Sequence, residues 1–375
     1  MTRETGGILI TMHRMSQGGA DRVAVLLANG FNAAGIATDF LLLRTGGEGE
    51  ETLSRLLDPA VRLHTAGSPM GSRHLELLRG VEVIRAVARS ARPSLVLASS
   101  SNMGLVTGIA CEPLRRTGVA VAMKLTNPVI RPRDRLAVQK AYRRRLYGFI
   151  FARHDRILTL TDAERAELET TYPKSRFVTV PNAYISDELL SAAPAEPSPN
   201  NAQPRLLTLA RMMPQKRLDI LLRAFALVER KDARLAILGD GPLRPSLEDL
   251  AKKLGVADRV EMPGFVENVE PALLAADLFV LSSDYEGLPA ALLEALACNV
   301  PVVTTDCFPG ARSLLEPCQG CAVTPIQDPA ALARAINAKL AHPLRAGLGK
   351  IAAPYTIEAS IGAHIKALQP MMAQR

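Results

Sequence analysis

Short β-rich runs alternate with amphipathic stretches along almost the whole of this chain, and the alternation breaks once. In the first half ILITM (8–12), DFLLL (39–43), SLVLA (94–98), VAVAMKL (119–125) and RILTL (156–160) are apolar on successive residues. That is the pattern of strands buried on both faces of a parallel sheet. Stretches such as ADRVAVLLANGFNAAG lie between them, closed by a glycine, as an amphipathic helix would be. Ser186–Pro204 (SDELLSAAPAEPSPNNAQP) then shows neither period and is rich in Pro, Ala, Ser and Asn, the composition of a linker. After it the alternation restarts with RLLTLA, RLAILG, RVEMPG, LFVLSS and VPVVTT. The expectation is an α/β chain of two doubly wound, Rossmann-like domains facing each other across a cleft. Residues 1–185 form the first, 186–204 the linker and 205–355 the second, with a C-terminal helix over 356–375 returning to the first. Open sheets of this kind bind ligands outside the carboxyl ends of their strands.

Composition narrows the function. A chain of 375 residues with 48% hydrophobic and 22% charged residues has globular composition, and its length suits two domains. It has no apolar run near the roughly 20 residues that a membrane-spanning helix needs, and MTRETGGILITMHR has no signal-peptide pattern; a cytoplasmic protein is expected. Five cysteines fit a reducing compartment, and Cys318-x-x-Cys321 lacks the second pair of a zinc ribbon. Net charge is +8, unevenly spread: residues 1–185 hold 26 Lys and Arg against 16 Asp and Glu, the remainder 19 against 21. Nine of those cations lie in Arg131–Arg156, among Tyr142, Leu146, Tyr147, Phe149, Ile150 and Phe151. A charge run with interleaved aromatics is either a solvated helix face or a surface for anionic lipid. No nucleic-acid motif accompanies it, so nucleic acid is not expected as a partner. The residues assigned to an acceptor or membrane surface are Lys124, Asn127, Arg131, Arg133, Lys140, Arg143, Arg144 and Arg145.

The stretch SSDYEGLPAALLEALACNVPVVTT (282–305) joins two of the strand runs, so its middle must cross over as a helix. Pro289 fits the first turn and Asn299 the left-handed position past the end, with Pro301 preventing continuation; the helix should run from about Pro289 to Cys298. Glu286 then lies in the strand-end loop and Glu294 within the helix. A helix N-terminus seats phosphate, Gly287 permits close approach of the backbone, and Leu288 and Pro289 complete the turn. Carboxylates suit hydroxyls instead. Phosphate-seating amides beside hydroxyl-seating glutamates describe a nucleotide-sugar pocket; the plain alternative is two solvated glutamates. Arg211 and Lys216, in the loop after RLLTLA, add charge suited to a diphosphate. Gly239-Asp240-Gly241 and Pro263-Gly264-Phe265 end two further strands, where glycines would keep the cleft rim open.

With these residues in place the chain resembles the family 4 glycosyltransferases of GT-B architecture, strongly over about 205–336 and more weakly over 8–182. The resemblance rests on Arg211 and Lys216, Gly239-Asp240-Gly241-Pro242, Gly264-Phe265-Val266, the Glu286/Glu294 pair and Pro301-Val302-Val303. It implies that Glu286 holds donor-sugar hydroxyls and Glu294 the ribose. Arg211 and Lys216 would bind the diphosphate leaving group, and Gly264, Phe265 and Val266 would lie against the base. It further implies that Gly18 and Gly19, in Gln17–Arg22, belong to a glycine-rich loop facing the diphosphate. Pro181-Asn182 would end the first domain. Ala210 and Arg217 stand where glycines are common in the family, and Asn299 replaces another. No histidine occurs in Lys124–Pro128, where many members carry one; His13, on another loop, is the candidate substitute.

The implied reaction is retaining transfer from a nucleotide diphosphate sugar without metal or other cofactor; the donor is UDP- or GDP-linked, with UDP favoured. Asp284-Tyr285-Glu286 imitates an Asp-x-Asp metal motif, but at a helix start already crowded with donor contacts. The uneven charge favours a lipid-linked acceptor, in envelope or exopolysaccharide synthesis, and a peripheral place on the cytoplasmic face of the membrane. A nucleotide-sugar 2-epimerase shares the architecture but wants a cleft histidine; a non-catalytic nucleotide-sugar-binding subunit would drop the donor-sugar glutamate. A dehydrogenase is excluded because no Gly-x-Gly-x-x-Gly follows the first strand.

Overall fold

The structure, a computed structural model, describes residues 6–15, 19–46, 50–67, 73–130, 136–191, 203–344 and 347–372. It divides into two units, residues 1–183 with 357–375, and residues 184–356. In the first, seven strands form one sheet: β1 Ile8–Met12, β2 Thr38–Leu42, β3 Arg62–Thr65, β4 Leu95–Ala98, β5 Ala120–Lys124, β6 Arg156–Thr159 and β7 Phe177–Thr179. Their order is β3-β2-β1-β4-β5-β6-β7, and every pairing is parallel. In the second, β8 Arg205–Leu209, β9 Arg234–Leu238, β10 Val260–Gly264, β11 Leu278–Leu281, β12 Val302–Thr305 and β13 Cys321–Thr324 follow the order β10-β9-β8-β11-β12-β13, again all parallel.

The strands β1, β2, β4, β11 and β12 are buried at every position, which is why their sequences run apolar without alternation. Each sheet reverses strand order once, between β1 and β4 and between β8 and β11, and these are the points at which doubly wound sheets open a crevice for ligand. Three strands were not expected from the sequence: β3, β7 and β13. All three are sheet edges, and β3 is largely exposed, so the continuous apolar signal is missing there.

The helix Ile357–Met372 belongs to the first unit, where it packs on the helix Gly19–Ala33. Gly30 makes that approach possible, since a Cβ there would meet Ile361 Cδ1 at 2.2 Å. The stretch read as a linker begins with a short helix, Asp187–Ser191; residues 192–202 lie outside the described residues. Among the described residues no helix is long and apolar enough to cross a membrane.

Candidate active site

The loops that follow β8 and β11, neighbours at the switch point of the second sheet, bring the sequence-predicted residues Lys216 and Glu286 together. Lys216 Nζ donates to Glu286 Oε1 at 2.6 Å. The same oxygen accepts from Ser283 Oγ at 2.6 Å, and Gln215 Nε2 reaches Oε2 at 3.4 Å. Glu286 is only 8% exposed, so its charge is held by partners rather than by water. The loop itself is pinned: Glu286 N–H donates to the Cys307 carbonyl at 2.6 Å, Gln215 Nε2 to the Tyr285 carbonyl at 2.6 Å and Ser282 Oγ to the Lys216 carbonyl at 2.9 Å. Burial first, and then the neighbouring Glu286 charge, push the Cys307 thiol up to about 12. Gln215 and Ser283 were not singled out from sequence, although Ser283 stands three residues before Glu286, close enough for a loop contact.

Past Glu286 the chain runs through Gly287, Leu288 and Pro289, all buried, into the helix Ala290–Ala297, whose N-terminus carries no side-chain cap. Tyr184 Oη holds the segment by donating to the Leu288 carbonyl at 3.0 Å. Uncapped first-turn amides are donors available to an anion. Glu294 is half-buried on this helix. Asn299 ends it with a left-handed backbone, φ 53°, and its Oδ1 accepts from Gly349 N–H at 3.0 Å. Arg211 stands apart from the Glu286 network. Its side chain is exposed and enters no ion pair among the described residues.

The glycines at the neighbouring strand ends do something other than keep a rim open. A Cβ on Gly239 would meet the Ala210 carbonyl oxygen at 2.2 Å, and one on Gly241 the Met212 carbonyl oxygen at 2.6 Å; both let the turns after β8 and β9 pack backbone to backbone. Arg244, not among the residues expected from the sequence, ties these turns to β10. It donates to Asp240 Oδ1 at 2.9 Å, to the Met262 carbonyl at 2.7 Å and to the Gly239 carbonyl at 3.2 Å. Its signal was the i,i+4 spacing from Asp240. Gly264 is left-handed at φ 97°, and Phe265 beside it is 61% exposed, an aromatic face open to stacking; Val266 is half-buried. Asp284 is engaged by Arg217 and Gln327, and no group of acidic, His or Cys side chains suited to a metal occurs among the described residues.

In the first unit the assignments hold less well. Lys124, expected at an acceptor or membrane surface, is 2% exposed. Its Nζ lies 2.7 Å from His364 Nε2. His364 Nδ1 is 2.8 Å from the Ser360 carbonyl, which can only accept, so Nε2 is the acceptor of the Lys124 proton. Asn127 is half-buried, and Gly19 is exposed at its helix start. Gly18, Arg131 and Arg133 lie outside the described residues. On the helix Ala137–Phe151, Lys140, Arg144 and Arg145 are exposed, while half-buried Arg143 donates to the Val129 carbonyl at 3.4 Å. Val138 and Tyr142, 69% and 67% exposed, and the exposed Phe149 share one stripe of that helix with Arg145, at i, i+4, i+7 and i+11. Arg153 covers the Phe149 ring, 3.4 Å from its centroid. His13 Nε2 lies 3.1 Å from Glu76 Oε2, a buried carboxylate that Arg44 approaches at 3.6 Å.

Residues 203–342 match the family described as Glycosyl transferases group 1, and residues 18–183 match the Glycosyl transferase 4-like domain. An uncharacterised glycosyltransferase of Methanocaldococcus jannaschii is 34% identical over 180 residues, 46% of this chain and 44% of that protein. The N-acetylgalactosamine-N,N'-diacetylbacillosaminyl-diphospho-undecaprenol 4-alpha-N-acetylgalactosaminyltransferase of Campylobacter jejuni is 36% identical over 109 residues, 29% of this chain and 30% of that one. The chain thus spans less than half the length of either relative. Anabaena HepE, solved with UDP and glucose, aligns over 97% of this chain and 99% of its own with a TM-score of 0.74 and 18% identity, so the fold is shared.

Proposed function

The chain carries both parts of the family in order and belongs to the family 4 glycosyltransferases of GT-B fold, and on that premise we propose that it is a retaining, metal-independent hexosyltransferase using a nucleotide diphosphate sugar, UDP-linked rather than GDP-linked. The observation that carries this reading is the Lys216–Glu286 contact of 2.6 Å beside an uncapped helix N-terminus, with Arg211 exposed at the end of the adjoining strand. Lys216, Arg211 and the helix amides offer positive potential for a diphosphate, and preorganised charge of this kind lowers the barrier where negative charge develops. Glu286 and Glu294 offer acceptors for sugar and ribose hydroxyls. The bond from the anomeric carbon to the diphosphate breaks while the acceptor oxygen bonds to the same face. The departing phosphate oxygen takes the acceptor proton, so no separate base is required. Engagement of Asp284 by Arg217 and Gln327 supports a reaction without metal.

For the acceptor, the exposed Val138–Tyr142–Phe149 stripe with Lys140, Arg144 and Arg145 around it supports docking on anionic lipid at the cytoplasmic face. The Campylobacter jejuni relative is named for a diphospho-undecaprenol, a polyprenyl lipid, which favours a lipid-linked glycan in envelope or exopolysaccharide synthesis. Incubating the pure protein with a panel of UDP- and GDP-sugars and measuring released nucleotide diphosphate tests the donor assignment. Slow hydrolysis of one UDP-sugar is the expected result. Failure to consume or bind any nucleotide sugar would overturn the reading.

A further inference from the structure

Among the described residues four non-glycine residues hold a left-handed backbone: Arg92, Arg217, Asn299 and Gln327, at φ 48°, 46°, 53° and 59°. Such residues persist where their surroundings over-determine them, and they gather at functional sites. Arg217 and Gln327 come from different loops of the second unit, yet both side chains end on one carboxylate. Arg217 Nη1 donates to Asp284 Oδ1 and Oδ2 at 3.3 and 3.4 Å, and Gln327 Nε2 donates to Oδ1 at 3.0 Å. The other edge of the Arg217 guanidinium makes a fork on Asp219, both bonds 2.9 Å, at the start of the helix Leu218–Ala226. Asp284 N–H in turn donates to the Gln215 carbonyl at 2.9 Å.

Sequence position gives this cluster its meaning. Arg217 directly follows Lys216, and Asp284 precedes Glu286 by two residues, so the cluster braces both loops from which the 2.6 Å Lys216–Glu286 contact is made. Neither left-handed residue is a glycine that would adopt this backbone freely, and the Asp284 carboxylate is the group on which both side chains converge. A planar fork is required to bridge Asp219 and Asp284 at once, which a lysine cannot supply. We propose that Arg217, Asp284 and Gln327 are positioning residues, a strained clamp that fixes Lys216 and Glu286 relative to each other. Its mechanical part stands on these contacts alone; its effect on turnover rests on the nucleotide-sugar reading above.

Two measurements keep the parts separate. Arg217→Gly removes the fork while relieving the backbone, and Asp284→Asn removes the shared charge. In both variants amide hydrogen exchange over residues 282–289 should quicken relative to wild type, with Arg223→Ala, an exposed change on the same helix, as the unaltered control. With the donor found by the nucleotide-sugar panel, kcat should fall about tenfold or more in each variant, the scale on which small misplacements act, with KM changed less than twofold. The double variant should be no worse than either single, because the residues act as one unit. Unchanged exchange in both variants would overturn the clamp, and so would fully additive losses or an unaltered kcat. A wild type that consumes no nucleotide sugar would count against the functional reading, while the exchange result would still decide the clamp.

Discussion

Both sheets reverse strand order once, and the two switch points are furnished differently. At the second, between β8 and β11, opposite charges from the two strand-end loops meet: Lys216 on Glu286, with Ser283 and Gln215 completing the carboxylate. At the first, between β1 and β4, the strand-end residue His13 contacts Glu76. Farther along that sheet a polar contact, Lys124 with His364, is buried and reaches the C-terminal helix. The strand order reverses in the same way in each unit, but the side chains at the two switch points differ. In the second unit opposite charges from two strand-end loops meet; in the first, the buried Lys124 contacts His364 of the helix Ile357–Met372.

That division can be broken by substitution. The largest effect should come from Glu286→Gln, which keeps the shape but weakens acceptance from hydroxyls; turnover of the donor should fall about a thousandfold with the melting temperature nearly unchanged. Wild-type turnover would remove Glu286 from the site. Arg211→Ala and Lys216→Met should each cost about a hundredfold, yet only Lys216→Met should also destabilise, by about 1–3 kcal/mol, because it strips a partner from a buried carboxylate. Thermal melts of the two variants side by side check this, and equal melting temperatures would contradict it.

The first unit should respond to pH instead. Burial, opposed by Glu164, pushes Lys124 down to about 7 from an ordinary 10.5. Between those values the unfolded chain binds a proton that the folded chain lacks, so this group makes stability rise with pH across the window. Glu164 moves the other way: burial foremost raises it to about 7 from 4.5. The folded chain then keeps a proton that the unfolded chain releases, and stability falls as pH rises from 4.5 to 7. Melting temperature against pH should lose its upper slope in Lys124→Met and its lower slope in Glu164→Gln. Wild-type slopes in both variants would mean that these groups do not titrate as buried. The smallest effect belongs to the helix Ala137–Phe151. Replacing Arg144 and Arg145 by glutamine should weaken sedimentation with anionic vesicles at low salt by about 1 kcal/mol per charge, and added salt should weaken wild-type binding too. A wild type that ignores such vesicles would point to a soluble acceptor.

Much of the second unit was legible in sequence because its determinants are local. The helix expected from about Pro289 to Cys298 is Ala290–Ala297 with Pro289 as its cap, and the left-handed turn expected at Asn299 is there. Turn chemistry and apolar runs encode such features within a few residues. What could not be read was non-local. Nothing near Lys124 announces that it is buried, because its partner His364 arrives from the far end of the chain. The sequence suggests openings at Gly239 and Gly241, whereas their carbonyl neighbours on another turn make them packing positions. The edge strands β3, β7 and β13 escaped because an edge lacks the two-sided burial that writes an unbroken apolar run.

A nucleotide diphosphate is expected at the strand ends of the second unit, against Arg211, Lys216 and the helix following Glu286. Hydrogen exchange on the wild-type chain with saturating UDP, or GDP if the panel selects it, maps that seat without depending on turnover. Exchange should slow over residues 211–217, 264–266 and 286–294. Protection confined to the first unit, or none at saturation, would contradict it.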